Sequence, residues 1–245
     1  MSDLDFFNLV KKKETNLVLS LDVTNKKDFF TILKQCAPYI CALKLHIELN
    51  SFLKGKTLKK LICYSKKYEF IIIEDRKFAD IGNTQHLQAQ ELIKKGITHF
   101  TSHCITGKKA LESFPSEAKL FLISDMSCED SFFSDIIDLR PIMHKKSKEY
   151  FYNIPQVIGF VSQYSIFTYP QSIILRPGIR LHNTIKKDSK GQNYNKPTLS
   201  PGVCWVVGRD IYQAQNPQKV AQQYQKLFKK NKKKWFIKPT NTSYV

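Results

Sequence analysis

The sequence lacks several features that would place it in other classes of protein. No apolar run reaches the length of a membrane span, and residues 1–5 show no basic segment followed by an apolar one. These two absences predict a cytoplasmic protein with no membrane association. No Gly-x-Gly-x-x-Gly follows the first apolar segment, which argues against a dinucleotide-binding sheet.

Closely spaced cysteines are also missing. The six cysteines form no Cys-x-x-Cys pair, and most lie in or beside apolar segments, so we expect reduced thiols in or near a core. Apolar residues make up 42% of the chain and aromatic residues 12%. A globular chain of 245 residues with this composition can bury a large core.

Acidic residues are few relative to basic ones. The 21 Asp and Glu residues face 39 Lys and Arg residues, which gives a formal net charge of +18. This excess raises the alternative of a non-enzymatic RNA- or anion-binding protein, because lysine-rich surfaces displace counterions from phosphate backbones. The lysines are, however, spread in short clusters from residues 11–13 to residues 232–234, without a recognition motif. We therefore expect solvated surfaces that attract an anionic substrate, and no specific nucleic-acid partner.

Eight short apolar segments alternate with polar or helical stretches. The strand candidates are residues 16–22, 39–45, 70–74, 97–103, 118–124, 156–161, 172–175 and 203–207, and the clearest helical patterns are residues 28–35, 53–67 and 85–95. Strands that alternate with helices pair in parallel through right-handed crossovers, and eight such units close into a barrel. We therefore predict a single-domain (β/α)8 TIM barrel over residues 1–245, with a basic tail from about residue 229. A doubly wound open sheet is the alternative.

The sequence Asp-Arg-Lys-Phe-Ala-Asp-Ile-Gly-Asn-Thr, residues 75–84, follows the third strand candidate. We expect its charges where that strand ends, because barrel enzymes hold their functional groups at the C-terminal ends of strands. Since strand side chains alternate, Asp75 and Lys77 point to one side, whereas Asp80 lies on the following loop and can reach across a subunit boundary. Such crowded charges are typical of active sites, although a surface cluster is the alternative.

Two further charges lie at the ends of the first two strands. Asp22 follows the first strand candidate, and Lys44 lies near the end of the second. Together with Asp75 and Lys77 they would form a ring of alternating sign around one cavity. The alternatives are a helix N-cap or an Asx turn for Asp22, and a lysine that extends to solvent for Lys44.

The segment after the last strand has the features of a phosphate site. Gly208 allows close approach of the backbone to an anion, the following helix start offers free N–H groups, and Arg209 adds a bidentate cation. Barrels commonly hold phosphate after their seventh and eighth strands. The alternative is a surface arginine paired with Asp210.

A long polar segment, residues 176–194, separates the seventh strand candidate from the eighth. A stretch of this length without periodicity inside a compact domain is typical of a lid. Gln192 and Tyr194 near its end are suited to close over the phosphate and exclude water.

Residues 75–84 closely resemble the signature of the orotidine 5′-phosphate decarboxylase family. The resemblance extends from residue 17 to about residue 228 and includes residues 19–22, 43–46, 126–128, 176–179, 191–194 and 207–209. It implies that the catalytic network consists of Lys44, Asp75, Lys77 and Asp80. It also implies that Asp22 holds the ribose and that Ser127 and Gln192 contact the pyrimidine. The phosphate would be bound by Gln192, Tyr194 and Arg209, with Pro177 and Gly208 in the phosphate-binding loops. It also implies a homodimer in which Asp80 and Thr84 serve the site of the partner subunit.

The resemblance implies decarboxylation of orotidine 5′-phosphate to uridine 5′-phosphate (UMP) in de novo pyrimidine biosynthesis, without metal or cofactor. Loss of carbon dioxide leaves negative charge on C6 of the pyrimidine, so the site has to favour a carbanion. Lys77 would stabilise this charge and then protonate C6, Asp75 and Asp80 would keep Lys77 charged and oriented, and Lys44 would balance the acids.

Magnesium-dependent sugar-phosphate decarboxylases and aldolases share the barrel and the Asp-x-Lys-x-x-Asp string, and they are the enzyme alternative. These enzymes place an acid where this sequence has Lys44, because a divalent cation needs carboxylate ligands. No set of His, Asp and Glu in the sequence has metal-ligand spacing. Three features depart from the family's pattern, namely Asp210 directly after Arg209, the sequence Ser-His-Cys at residues 102–104, and the basic residues 180–190.

Overall fold

Eight parallel strands close into a barrel in the computed structural model, which describes residues 6–128, 140–163, 172–181, 187–189 and 191–236. The strands are β1 (Leu17–Ser20), β2 (Ala42–Leu45), β3 (Ile71–Phe78), β4 (His99–His103), β5 (Lys119–Ile123), β6 (Val157–Val161), β7 (Ile173–Arg176) and β8 (Val203–Val207). Each strand pairs in parallel with the next one along the chain, and β1 pairs with β8 to close the barrel. The predicted (β/α)8 barrel is confirmed.

Helices connect most of these strands. They are α1 (Phe6–Lys13), α2 (Lys26–Cys36), α3 (Gly55–Tyr68), α4 (Gly82–Lys94), α5 (Lys108–Glu112), α6 (Arg140–Asn153), α7 (Arg209–Tyr212), α8 (Pro217–Asn231) and α9 (Lys233–Phe236), with 3-10 turns at Ala37–Tyr39 and Cys104–Thr106. The three helices expected from periodicity are confirmed as α2, α3 and α4, with ends shifted by one to three residues. No described helix is long and apolar enough to cross a membrane.

The core fills the barrel and the layer between strands and helices. All residues of β1, β2 and β8 are buried, as expected for parallel strands that are covered on both faces. α8 contributes Tyr224 and Phe228, which are fully buried and lie one helical turn apart. Burial of each such side chain stabilises the fold by about 1.5–3 kcal/mol. Four cysteines are buried as expected, whereas Cys63 and Cys128 are exposed.

β3 differs most from the sequence expectation, and the difference positions the site. The apolar run predicted a strand that ends at residue 74, but β3 continues through the charged residues to Phe78. The strand continues because Phe78 is buried and packs edge-on against Phe100 and Phe114. The charges of the motif therefore begin inside the strand, between Glu74 and Phe78, which both pair with β4.

Candidate active site

A cavity of about 670 Å³ opens at the C-terminal end of the barrel. Ten of the twelve site residues expected from the sequence line it, namely Asp22, Lys44, Asp75, Lys77, Ser127, Pro177, Gln192, Tyr194, Gly208 and Arg209. The described residues that line the cavity do not include Asp80 and Thr84. The sequence therefore identified ten residues of one cavity's wall from segments that are up to 187 residues apart, from Asp22 to Arg209.

Asp75 is the centre of the charged cluster. Its Oδ2 accepts from the Nζ of Lys44 and lies 2.9 Å from Lys77 Nζ and 3.4 Å from His46 Nε2. Its Oδ1 accepts a hydrogen bond of 2.8 Å from Thr101. Burial would raise the pKa of Asp75, but the charge of Lys44, the bond from His46 and the charge of Lys77 outweigh it and hold this pKa well below its usual range.

Lys44 is as deeply buried as its partner, at 9% exposed against 5% for Asp75. Burial alone would lower the pKa of Lys44, but the charges of Asp75 and Asp22 raise it above its ordinary value. Both groups therefore stay charged at neutral pH. A buried ion pair of this kind contributes little net stability, whereas loss of one partner strands the other charge at a cost of about 3–5 kcal/mol. The arrangement favours a function over a purely structural role, because stability does not require it.

Asp22 follows β1, lines the cavity and is exposed. Its Oδ2 accepts a hydrogen bond of 3.3 Å from Ser20. The N-cap of α2 is Asn25, whose side chain accepts from the N–H groups of Lys27 and Asp28. The helix-cap alternative for Asp22 is therefore wrong, and its carboxylate is available to a ligand.

Asp80 and Thr84 lie outside the cavity of their own chain. Asp80 is exposed after β3, and its Oδ1 accepts from the N–H of Ile81 at 2.7 Å. Its carbonyl oxygen accepts from the side chain of Gln85, 2.7 Å away. Thr84 is half-buried in the first turn of α4. Ile81 between them is 70% exposed, an apolar side chain that faces outward beside this motif.

The other end of the cavity carries the expected anion-binding groups. Arg209 donates to the Oε1 of Gln192, and its guanidinium lies 5.5 Å from the ring centre of Tyr194. Arg180, at 3.7 Å from the same ring centre, covers Tyr194 as a second cation. The three expected phosphate residues are thus in contact with one another.

An aspartate of the lid also occupies this anion-binding region. Asp188 Oδ2 lies 2.6 Å from Arg209 Nη1 and accepts the hydroxyl of Tyr194 at 2.9 Å. Asp210, the acid suspected of pairing with Arg209, instead accepts from the N–H of Leu181 and the hydroxyl of Tyr224. The alternative in which Arg209 forms a surface pair with Asp210 is therefore wrong.

Backbone pairing brings the lid to the loop after β5. Residue 192 forms an antiparallel bridge with Cys128, and the N–H of Asn193 donates to the carbonyl of Ser127 at 2.9 Å. Gly178 has φ of 73°, and a Cβ there would lie 2.3 Å from the carbonyl oxygen of Asn193. Only glycine fits this turn. Residues 182–186 and 190 of the expected lid, and residues 237–245 of the basic tail, lie outside the described residues.

One group of side chains has the geometry of a metal site, which the sequence spacing did not indicate. Ligand atoms of His46, Glu48 and Glu74 lie within 4.8 Å of one another. Burial, with Glu48 beside it, raises the pKa of Glu74 to about 8, so Glu74 keeps its proton at neutral pH. Glu74 Oε2 also accepts the N–H of Ile47 at 3.0 Å. A divalent ion would have to displace that proton, so this set is poorly suited to a resident metal.

Sequence reasoning missed three residues of the site. His46 follows Lys44 by two positions, so strand alternation was a signal that placed both on one side. Thr101 and Asp188 carried no comparable signal. Thr101 acts through Asp75, which is distant in sequence, and Asp188 lies on a segment without periodicity in its sequence.

Comparison with known proteins gives consistent matches. A family model described as the orotidine 5′-phosphate decarboxylase / HUMPS family matches residues 15–224. The orotidine 5′-phosphate decarboxylase of Phycomyces blakesleeanus is 32% identical over 221 residues, which cover 84% of this chain and 80% of the relative. That of Candida tropicalis is 34% identical over 227 residues, which cover 84% of this chain and 81% of the relative.

Solved structures share the fold at lower identity. The orotidine 5′-monophosphate decarboxylase of Methanocaldococcus jannaschii, solved in complex with the inhibitor BMP, has a TM-score of 0.65 and 19% identity and covers 87% of this chain and 98% of its own. The UMP synthase of Leishmania donovani has a TM-score of 0.69 and 16% identity, over 91% of this chain and 56% of its own.

Proposed function

This chain belongs to the orotidine 5′-phosphate decarboxylase / HUMPS family, and we propose on that premise that it converts orotidine 5′-phosphate to UMP and carbon dioxide with protein side chains alone. The observation that carries the proposal is the buried carboxylate of Asp75, held between the ammonium groups of Lys44 and Lys77 at the wall of the cavity. The proposal includes a role in UMP biosynthesis and the expected cytoplasmic location.

The chemistry follows from the charge that develops on the substrate. The bond between C6 and the carboxylate breaks, and its electron pair stays on C6. The ammonium of Lys77, 29% exposed toward the cavity, stabilises this charge and then transfers a proton to C6. Solvent restores the proton to the neutral amine. Because the ammonium is fixed before the reaction, its interaction with C6 grows only as the carbanion forms.

Asp75 has two roles in this scheme. Its carboxylate holds and orients the ammonium of Lys77, which lies 2.9 Å away. It also faces the carboxylate of the substrate, and two carboxylates about 4 Å apart at an effective dielectric near 20 repel by about 4 kcal/mol. That repulsion disappears as neutral carbon dioxide forms, which lowers the barrier to its departure.

The phosphate end supplies binding energy away from the reacting carbon. Arg209, Gln192 and Tyr194 are positioned to hold the phosphate, and Asp22 is available to the ribose. The backbone contact between the lid and Ser127 brings the side chains expected to contact the pyrimidine next to those expected to bind the phosphate. Phosphate binding would therefore order the groups that surround the pyrimidine.

We propose a homodimer as the active form. Asp80 and Thr84 belong to the motif that contains Lys77, yet both lie outside their own chain's cavity, and the apolar Ile81 between them is 70% exposed. A two-fold contact at this edge would bury Ile81 and bring Asp80 of each subunit to the charged cluster of the other. A second carboxylate beside Lys77 would complete the expected catalytic network.

Lys44 argues against the magnesium-dependent alternative. It occupies a position where a divalent cation would need an acid, and its ammonium is bonded to Asp75. An RNA- or anion-binding protein would explain the basic surface, but it would not require a buried aspartate between two lysines.

The test compares two lysine variants. Purified protein is incubated with orotidine 5′-phosphate, and the loss of its ultraviolet absorbance is followed. We expect Lys77→Ala to lose at least about 1000-fold in kcat, since charge stabilisation and proton transfer are both removed. Lys59→Ala, which removes an exposed lysine of α3, is the matched control and should keep the parent's rate. A fully active Lys77→Ala variant would refute the assignment of the proton donor.

A further inference from the structure

Thr101 lies fully buried in β4 and joins two parts of the charged cluster. Its hydroxyl donates to Asp75 Oδ1 at 2.8 Å and accepts from the backbone N–H of Lys77 at 3.1 Å. A hydroxyl has one proton to donate, so the two contacts fix its orientation. The proton points to Asp75, and a lone pair points to Lys77.

The pairing of β3 with β4 explains why one residue reaches both. The two strands are in register at Glu74 and again at Phe78, but three residues of β3 between these points stand opposite Thr101 alone. A bulge of this kind redirects side chains and is common beside active sites. It leaves Lys77 with φ of 55°, in the left-handed region that non-glycine residues rarely adopt. The bond from the Lys77 N–H to Thr101 is a contact that holds this conformation.

The two oxygens of Asp75 have separate partners. Oδ2 faces three basic groups, Lys44, His46 and Lys77, whereas Oδ1 takes the hydrogen bond from Thr101. Basic groups that bind one oxygen leave the carboxylate able to rotate about its Cβ–Cγ bond, because that torsion has a broad energy minimum. The bond from Thr101 to the other oxygen restrains the rotation.

We propose that Thr101 is a positioning residue that fixes the carboxylate plane of Asp75 and the backbone of Lys77 together. One hydroxyl thereby sets both the group that faces the departing carboxylate and the group that protonates C6. This inference rests on the decarboxylation proposed above. Thr101 is not among the residues that line the cavity, so its effect on the reaction passes through Asp75 and Lys77.

The test compares Thr101→Ser with Thr101→Ala, which differ by the hydroxyl alone. Thr101→Ser should retain a kcat near the parent's, and Thr101→Ala should fall about 10- to 100-fold below it, the range expected for one hydrogen bond to a charged group. KM for orotidine 5′-phosphate and Kd for UMP should stay near the parent's values in both variants, because the phosphate end is untouched. A role in packing alone would not produce this split.

Ser102→Ala is the matched control. Ser102 is also buried in β4, and its hydroxyl donates to the carbonyl of Phe78 at 3.2 Å, so it supports the end of the same bulge without contacting Asp75. We expect its kcat to remain near the parent's. If Thr101→Ala fails to fold, Thr101→Val keeps the side-chain volume and replaces it in the comparison with Thr101→Ser.

Equal kcat in the Thr101→Ser and Thr101→Ala variants would overturn the inference, and so would an equal loss in Ser102→Ala. An inactive parent protein has a different meaning, since it overturns the proposed decarboxylation itself. An active parent with an unaffected Thr101→Ala variant refutes only the role of Thr101.

Discussion

If Arg209 binds the phosphate of the substrate as proposed, Asp188 competes with that phosphate, and its replacement by asparagine should tighten phosphate binding. The carboxylate of Asp188 contacts both Arg209 and the hydroxyl of Tyr194, two groups expected to bind phosphate. A phosphate that binds there has to displace this carboxylate or tolerate its charge. Asp188→Asn keeps an oxygen that can accept the N–H of Gln192, 3.0 Å away, and removes the charge.

The magnitude follows from the geometry of the pair. Arg209 Nη1 and Asp188 Oδ2 are 2.6 Å apart, and the two side chains are 29% and 17% exposed. Unit charges about 4 Å apart at an effective dielectric near 20 attract by about 4 kcal/mol. Desolvation and competing water offset part of this, which leaves about 1.5–3 kcal/mol for a hydrogen bond between charged groups. A gain of even the lower value lowers Kd about tenfold.

The assay is calorimetric titration of the parent and the variant with UMP and with uridine, which lacks the phosphate. We expect the Kd for UMP to fall about tenfold in Asp188→Asn and the Kd for uridine to stay unchanged. Asp210→Asn is the control, because Asp210 also lines the cavity but accepts from Leu181 and Tyr224. It should change the Kd for UMP much less.

Weaker UMP binding in Asp188→Asn would refute this reasoning. It would mean that Asp188 orients Arg209 for the phosphate and does not compete with it. An equal gain in Asp188→Asn and Asp210→Asn would also contradict the prediction, since it would reflect net charge near the cavity and not the specific contact with Arg209.

Three further predictions follow from the same geometry. Arg209→Ala should raise KM for orotidine 5′-phosphate and leave the slow turnover of orotidine unchanged; equal damage with both substrates would remove Arg209 from the phosphate site. Lys77→Ala and Asp80→Ala should each be nearly inactive alone. An equal mixture of the two should regain about a quarter of the parent's activity after full subunit exchange, because each mixed dimer has one intact site. No recovery would place Asp80 in the site of its own chain. Burial and Glu48 raise the pKa of Glu74 from 4.5 to about 8, so the folded chain holds a proton that the unfolded chain releases. The free energy of unfolding should therefore fall as pH rises from about 5 to about 8, and Glu74→Gln should flatten that fall in urea titrations, whereas parallel curves would contradict it.

The sequence predicted the barrel because each parallel strand is a short buried run, and such runs can be found without knowledge of their partners. Boundaries were less accurate where a local feature decides them. β2 begins at Ala42 and not at residue 39, because Pro38 lies in the 3-10 turn Ala37–Tyr39. β3 extends to Phe78 because a buried aromatic contact follows its charged residues, which the pattern of the apolar run did not reveal.

The site was predictable to the extent that strand ends converge in a barrel. Lys44, Asp75 and Lys77 meet because the C-terminal parts of β2 and β3 lie at one mouth of the barrel, which is a rule of the fold. The contacts of Thr101 and Asp188 follow no such rule. Thr101 reaches Asp75 only because β3 bulges, and Asp188 reaches Arg209 across an irregular segment. Neither the bulge nor the loop path has a sequence pattern that indicates it.

The most direct test of the central claim is the rate of orotidine 5′-phosphate decarboxylation before and after exhaustive chelation. In the proposed mechanism the ammonium of Lys77, held beside Asp75, stabilises the carbanion, so we expect the same loss of ultraviolet absorbance with and without excess EDTA. The same experiment tests the group of His46, Glu48 and Glu74 as a metal site, because these side chains have the spacing of metal ligands. Loss of turnover in EDTA that magnesium restores, or no decarboxylation under either condition, would contradict the account.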